Sequence, residues 1–189
     1  MLRVCAVVSA LVVCCAIPAR ATTYLPVTFE ELVTRADVIF VGEVVDVRPF
    51  ALDTPDGRII KTQVTFSVSE PLYGTTSLVE VFEFLGGELN GVGMAVAEMP
   101  AFAVGDRRVM FARRERSINP IVGFTQGLLR VTRDAGGVDR VLTLDGAPLS
   151  APESIGTRTP GILLAPAAPM RLSDFRTRIT QALAEARRQ

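Results

Sequence analysis

The three cysteines of this 189-residue chain all lie within its first 21 residues, and the chain contains no histidine. Arg3 precedes an apolar run over residues 4–17, and residues 19–21 have the small-x-small form of a signal peptidase site. This pattern predicts a secretory signal peptide over residues 1–21, with an apolar core too short for a permanent membrane anchor. The mature chain is then expected to fold without disulfides or zinc, so a packed core must stabilise it.

Charge and composition indicate the cellular location of the protein and the classes of partner that it does not favour. Loss of the leader removes Arg3 and Arg20, so the 20 basic and 20 acidic residues of the full chain become a net charge of −2. A charge this small does not favour nucleic acid or anionic membranes as partners. Lys61 is the only lysine, and this preference for arginine is typical of GC-rich bacterial genomes. We therefore expect a bacterial protein that is secreted or periplasmic, with no nucleic-acid partner and no transmembrane anchor after signal cleavage.

Alternating apolar residues predict a mostly β domain over residues 22–146. Thr28 and Glu31 have the spacing of a capping box, which predicts a short helix over residues 29–35. β-branched residues predict a first strand over residues 37–47, and the Pro-Asp-Gly sequence within residues 53–57 predicts a turn after it. Further strands are predicted at residues 58–69, 78–85, 94–97, 107–113, 121–131 and 140–144, with a glycine-rich loop at residues 86–93.

The predicted fold class is all-β with minor α. We expect the strands to form a small closed OB-like barrel, flanked by a short N-terminal helix and a C-terminal helix. Closure leaves no exposed edge on strands that are rich in valine. After the barrel, residues 147–171 contain five prolines and are predicted to form a linker or a segment that wraps the surface.

The end of the chain has the pattern of an amphipathic helix over residues 172–189. Ser173 is the expected N-cap, and Phe175, Ile179 and Leu183 recur every four residues. Such a stripe either docks on a partner or packs on its own domain. We favour packing on the same domain, because helices with this pattern usually do so.

Four stretches of strand sequence carry a family resemblance. They are Ala36-Asp37-Val38-Ile39, Val64-Thr65-Phe66-Ser67-Val68 leading to Leu72-Tyr73-Gly74, Val79-Glu80-Val81-Phe82, and Gly105-Asp106-Arg107-Arg108-Val109-Met110-Phe111. Over residues 29–113 this pattern resembles the OB-fold module shared by tissue inhibitors of metalloproteinases, the netrin C-terminal domain and the complement C-terminal domain. It is also similar to that of uncharacterised exported bacterial proteins, some of them associated with secreted metalloproteases.

The resemblance implies an OB-like barrel and a role in protease binding. Tissue inhibitors of metalloproteinases act through an N-terminal cysteine, whose amine and carbonyl bind the protease zinc. Here the predicted mature N-terminus is Thr22-Thr23-Tyr24, which has no cysteine. The resemblance therefore supports the fold and gives only a hint of protease binding.

Few side chains are available for catalysis. Without histidine or a mature cysteine, Ser-His-Asp and Cys-His sites are excluded. A Ser–Lys site would have to join Lys61 to Ser67 or Ser69, which lie roughly 20 Å or more away along a strand. A carboxylate pair for glycan hydrolysis is an alternative. Its candidate members are Glu80, Glu83, Glu88, Glu98 and Asp106. We expect no catalytic residue, no cofactor and no metal.

Residues 86–99 form the predicted contact region, because loops carry function and this one is more apolar than a solvated loop needs to be. Packing over the mouth of the barrel explains the same residues equally well. The N-terminal segment, residues 22–27, is the second predicted contact region. The candidate binding residues are Thr22, Tyr24, Glu88, Leu89, Asn90, Val92, Met94 and Met99.

The only basic cluster of the sequence consists of arginines. They are Arg107, Arg108, Arg113, Arg114 and Arg116. OB-folds often bind nucleic acid through basic grooves and stacking aromatics, but export, the net charge and the absence of tryptophan oppose that role here. A polyanionic glycan, a lipid head group or an acidic protein patch is a better candidate ligand, and a solvated strand end is the simplest explanation.

Together these features predict an exported binding or interaction module that is not an enzyme. The expected partner is a secreted or envelope protein, and a secreted protease is one candidate that the module would bind or regulate. Two alternatives remain, a carboxylate-based glycan hydrolase and a structural envelope protein. The structural role would use the proline-rich segment and the final helix to join the domain to other molecules.

Overall fold

Two α-helices and eight β-strands are present in the computed structural model, which describes residues 25–115, 117–156 and 168–188. They are, in chain order, α1 (Phe29–Arg35), β1 (Val38–Thr54), β2 (Gly57–Tyr73), β3 (Val79–Leu85), β4 (Gly87–Leu89), β5 (Val92–Met94), β6 (Arg107–Ala112), β7 (Leu128–Arg133), β8 (Asp139–Leu142) and α2 (Leu172–Ala186), with a short 3-10 helix at Pro152–Ser154. The mostly β fold with a helix near each end is confirmed. The predicted signal peptide, Thr22, Tyr24 and Arg116 lie outside the described residues. Within the described part, no helix has the length and apolar character that a membrane crossing requires.

Six strands form one antiparallel sheet in the order β3-β2-β1-β6-β7-β8. The sheet does not close, so the predicted closed OB-like barrel is wrong. Connecting segments, and not strands, cover its two edges. On β3, the Leu85 N–H donates to the carbonyl oxygen of Ile118 at 2.9 Å. On β8, Leu142 bridges to Pro148 and Arg140 bridges to Arg171.

The hairpin of β1 and β2 is the longest element, with 17 residues in each strand. A bulge interrupts its pairing, since Val44 is opposite Phe66 and Asp46 is opposite Thr65. Side chains alternate between the two faces of a strand, so one extra residue changes the face of all the residues that follow. Val47 consequently packs with the same apolar cluster as Val44.

The sheet separates two apolar clusters. The inner cluster, on the face covered by connecting segments, consists of Val38, Phe40, Val44, Val64, Phe66, Val68, Phe82, Phe84, Met110, Ala112, Ile121 and Leu128. Its rings pack at centroid distances such as 5.5 Å between Phe40 and Phe66. The outer cluster lies under the two helices and includes Ile39, Val41, Val109 and Phe111 of the sheet. Adjacent residues of a strand therefore belong to opposite clusters, because side chains alternate between the two faces of the sheet.

Both helices pack on the outer face. At α1, Thr28 and Glu31 form the predicted capping box. At α2, Phe175 and Ile179 are buried and Leu183 packs beside them, so the expected packing of this stripe on its own domain is confirmed. The N-cap prediction is wrong, because Arg171, two residues before Ser173, occupies the cap position and makes no side-chain cap hydrogen bond.

The described parts of the proline-rich segment lie against the domain. Leu149, Pro152 and Ile155 are buried, and the Met170 N–H donates to the Leu149 carbonyl oxygen at 2.8 Å. These contacts fit a segment that wraps the surface. The predicted strand at residues 121–131 is also corrected, since Ile121 forms only an isolated bridge to Ala112, turns occupy residues 122–127 and continuous pairing begins at β7.

Asp139 links three strands at one end of the sheet. Its carboxylate accepts hydrogen bonds from Arg107 of β6 and Arg133 of β7, each at 3.0 Å. Arg107 and then Arg133 lower the pKa of Asp139 from 3.8 to about 2, against the opposing effect of burial. The hydrogen bond to Asp139 likewise raises the pKa of Arg107. The folded protein therefore keeps this carboxylate ionised to a lower pH than the unfolded chain does.

We expect Asp139→Asn to lower the free energy of unfolding by about 1–2 kcal/mol at pH 7, because two charge-assisted hydrogen bonds are lost. The folded-state pKa of Asp139 is depressed, so its contribution is complete above the unfolded pKa and declines as the pH falls from 3.8 towards 2. Urea unfolding of both proteins across that interval measures the effect. The difference between them should shrink as the pH falls.

Asp53→Asn is the matched control, because the Asp53 side chain is 89% exposed and lies 3.8 Å from Arg58. Its free energy of unfolding should change by less than about 0.5 kcal/mol. Equal stability of the wild type and Asp139→Asn at pH 7 would show that the three-strand link contributes nothing.

Candidate functional site

Residues 86–93, predicted as a loop, form most of a small hairpin instead. β4 and β5 pair in an antiparallel manner, with Leu89 opposite Val92. Asn90 and Gly91 have φ values of 52° and 78°, the positive values that a two-residue type I′ turn requires. Asn-Gly between apolar residues is a strong hairpin signal. The prediction of a loop relied on the number of glycines in this stretch and did not take the Asn-Gly dipeptide into account. Most of the predicted contact region therefore has the regular backbone of a hairpin and not that of an irregular loop.

The hairpin is attached to the far half of β1 and β2. The Thr62 hydroxyl donates to the Gly86 carbonyl oxygen at 2.7 Å, and the Gly86 N–H donates to the Ile60 carbonyl oxygen at 2.8 Å. A Cβ atom at Gly87 would lie 2.3 Å from the Thr62 hydroxyl oxygen. The chain can therefore pass this close to β2 only because residue 87 is glycine.

Between the hairpin, the strands and residues 94–102 lies an open groove of about 380 Å³. It is lined by Val47, Pro49, Thr62, Phe84, Leu85, Gly86, Gly87, Glu88, Met94, Ala95, Val96, Met99, Pro100, Ala101 and Phe102. Glu88 is the only ionisable side chain among them. The methionines Met94 and Met99 give two walls a flexible, polarizable surface that adapts to different shapes.

The groove is the open end of the inner cluster. Met99 and Phe102 pack against that cluster, and the Phe102 ring lies 4.7 Å from the ring of Phe84. Packing over the inner core and lining a groove are thus two roles of the same segment. Val47 and Pro49 complete the opposite wall, and no periodicity in the sequence could place them there, because the bulge precedes them.

The structure brings together only some of the predicted binding residues. Glu88, Met94 and Met99 line the groove. Leu89, Asn90 and Val92 lie at the hairpin tip, where Val92 is 64% exposed. The part of the N-terminal segment that the structure describes, residues 25–27, does not line the groove. Its Val27 N–H donates to Gln126 at 2.9 Å, and Gln126 does not line the groove either.

The predicted basic cluster is divided into two pairs, one at each end of β6. Each arginine has a carboxylate partner: Arg107 with Asp139 at 3.0 Å, Arg108 with Asp106 at 2.7 Å, Arg113 with Glu115 at 2.9 Å and Arg114 with Glu80 at 2.9 Å. Arg108 is also buried. Burial opposes ionisation of Asp106, yet hydrogen bonds from Ala103 and Arg108 lower its pKa. These arginines therefore do not form a single free basic surface.

A second, more polar cavity of about 240 Å³ lies between β3 and residues 113–120. Lys61 and Ser117 both line it, but Lys61 donates to Glu83 and Ser117 donates to the Asn119 carbonyl oxygen. Neither side chain is arranged as a base or a nucleophile towards the other. The other carboxylate that lines this cavity, Glu115, pairs with Arg113. Within the described ranges, no group of three or more potential ligands could hold a metal ion.

No protein-family model matches this chain, and no curated protein matches it.

Substitution of Gly87 tests how the hairpin is held. We expect Gly87→Ala to destabilise the protein by about 2 kcal/mol and to accelerate amide exchange across residues 86–99, because the new Cβ meets Thr62 and the φ of +135° disfavours alanine. Hydrogen exchange read by mass spectrometry measures the local opening, and urea unfolding measures the global cost.

Gly91→Ala provides the control at the hairpin tip. Its φ is also positive, at +78°, but a Cβ there would meet nothing within 4 Å. It should cost only the backbone strain of about 1 kcal/mol and leave exchange at residues 86–88 unchanged. Identical exchange in both variants would mean that the contact with Thr62 does not hold the hairpin.

Proposed function

We propose that this chain is an exported, non-catalytic binding module that holds an apolar segment of a secreted or envelope protein in the groove beside β4 and β5. The observation that carries the proposal is the groove itself. It is concave, mostly apolar and built from both rigid strands and a glycine-anchored hairpin. A secreted protease is the partner that the family resemblance suggests.

The chemistry of the lining supports binding without catalysis. A glycosidase needs two carboxylates on either side of the bond, and Glu88 is alone in the groove. The one hydroxyl group of the lining, on Thr62, donates to the Gly86 carbonyl oxygen. With no base beside it, this hydroxyl has no means of activation as a nucleophile.

The dimensions support a ligand of a few side chains. The groove volume of about 380 Å³ lies near the lower end of the roughly 300–1,000 Å³ that ligand sites occupy. Apolar side chains buried there would each gain roughly 1.5–3 kcal/mol from leaving water. Met94 and Met99 would adjust their rotamers to the shape of the ligand.

A partner protease would be engaged through surface complementarity. The predicted mature N-terminus has no cysteine, so the zinc-binding arrangement of tissue inhibitors of metalloproteinases has no counterpart in this sequence. Structural cross-linking through α2 has less support, because the apolar stripe of that helix is already used against the outer cluster.

Affinity capture with matched variants tests the proposal. The mature chain, residues 22–189, is immobilised and exposed to secreted and envelope fractions of its source, and retained proteins are quantified by mass spectrometry. Val96→Lys places a charge in the groove and should reduce retention of the specific partner at least tenfold. Val104→Lys makes the same change at a side chain that is 67% exposed and outside the groove.

Val104→Lys should retain the partner as the wild type does. Circular dichroism and urea unfolding of both variants establish that each is folded. Equal retention by the two variants, or an empty column with the wild type, would contradict binding in the groove.

A further inference from the structure

We propose that the groove selects an extended segment in which a bulky apolar anchor is followed closely by lysine or arginine. This inference rests on the proposed function and names the class of ligand that the same groove takes. It is carried by the distribution of charge and of backbone hydrogen-bonding groups around the groove.

The charge around the groove is acidic and uncompensated. Glu88 is the one charged side chain that lines it. In the described portion of the chain, its carboxylate makes no ion pair or side-chain hydrogen bond, and no lysine or arginine lines the groove. A positive charge seated there would interact with the Glu88 carboxylate beside an apolar wall, where screening by water is reduced.

Two arginines of the β1–β2 hairpin already face carboxylates of the same hairpin. Arg48 pairs with Asp46 at 3.2 Å, and Arg58 lies 3.8 Å from Asp53. Neither of these arginines lines the groove. The cation that pairs with the Glu88 carboxylate is therefore expected to come from the ligand.

The apolar wall provides the site for the anchor. Phe84 and Phe102, with ring centroids 4.7 Å apart, form a firm surface continuous with the inner cluster. Met94 and Met99 lie on adjacent walls. A leucine or phenylalanine side chain fits such a surface, and its position within the groove sets the distance to Glu88.

Hydrogen bonding by the hairpin favours an extended ligand. Leu89 and Val92 close the two-residue turn, so they exchange backbone hydrogen bonds, and the next pair, Glu88 and Gly93, faces away. Gly93 is exposed, and in the two-stranded sheet of β4 and β5 its N–H and C=O point away from β4. A strand of the ligand can therefore add to β5 there, a common mode of peptide recognition.

Fluorescence polarisation with defined peptides tests the selection. Three fluorescein-labelled octapeptides share the sequence Gly-Ser-Leu-Phe-X-X-Ser-Gly, with X as lysine, glutamine or glutamate. We expect the lysine peptide to bind the mature chain about tenfold more tightly than the glutamate peptide at 50 mM salt, with the glutamine peptide between them. The ratio should fall towards one at 1 M salt, where charge is screened within about 3 Å.

The variant Glu88→Gln isolates this carboxylate. It should bring the lysine-to-glutamate ratio to less than about threefold. Glu30→Gln removes an exposed carboxylate on α1, against the outer face, and should leave the ratio as it is in the wild type. Both variants change only exposed side chains, so unfolding does not complicate the comparison.

The outcomes separate this inference from the proposed function. Equal binding of all three peptides would overturn the charge preference and leave the binding module intact. Failure of every peptide to bind would overturn both. A preference that survives in Glu88→Gln would assign the selection to groups other than the Glu88 carboxylate, and would also overturn the inference.

Discussion

Four consecutive residues of β1, Val38 to Val41, are completely buried, and this double-sided burial is the constraint on which the rest of the structure depends. Because alternate side chains point to opposite faces, a strand of this kind needs apolar cover on both sides of its sheet. α1 and α2 supply the outer cover, and connecting segments that include Phe102 supply the inner one. With no disulfide expected in the mature chain, this packing must supply the stability of the domain, at roughly 1.5–3 kcal/mol for each large side chain buried.

The groove exists because the inner cover ends before β1 and β2 do. Both strands continue past the inner cluster, and the bulge beyond Val44 keeps apolar side chains such as Val47 on the inner side. The short β4–β5 hairpin covers only part of this extension. An apolar surface is left open at the end of a core that is otherwise filled with phenylalanine, and open apolar concavities of this kind are the usual location of binding sites.

The effect of a charged side chain in this protein depends on whether a side chain of opposite charge pairs with it. The arginines at the two ends of β6 lie close together in sequence, but each meets a carboxylate, and two of these partners are distant in the chain: Asp139 for Arg107 and Glu80 for Arg114. Their charge is therefore largely used within the fold. The carboxylate of Glu88, which looks unremarkable in the sequence, has no such partner in the described structure and gives the groove its electrostatic character.

Local features of the sequence determined the elements of this protein. The capping box of α1, the turn between β1 and β2, the helical stripe of α2 and the Asn-Gly turn of the hairpin all depend on residues within a few positions of one another. The absence of histidine, and of cysteine after residue 15, likewise limits the chemistry directly. Only the tertiary structure decided that the sheet stays open, that the bulge moves Val47 to the inner face, that the arginines are paired and that a groove forms. Each of these depends on contacts between residues far apart in the chain, which periodicity and propensity do not specify.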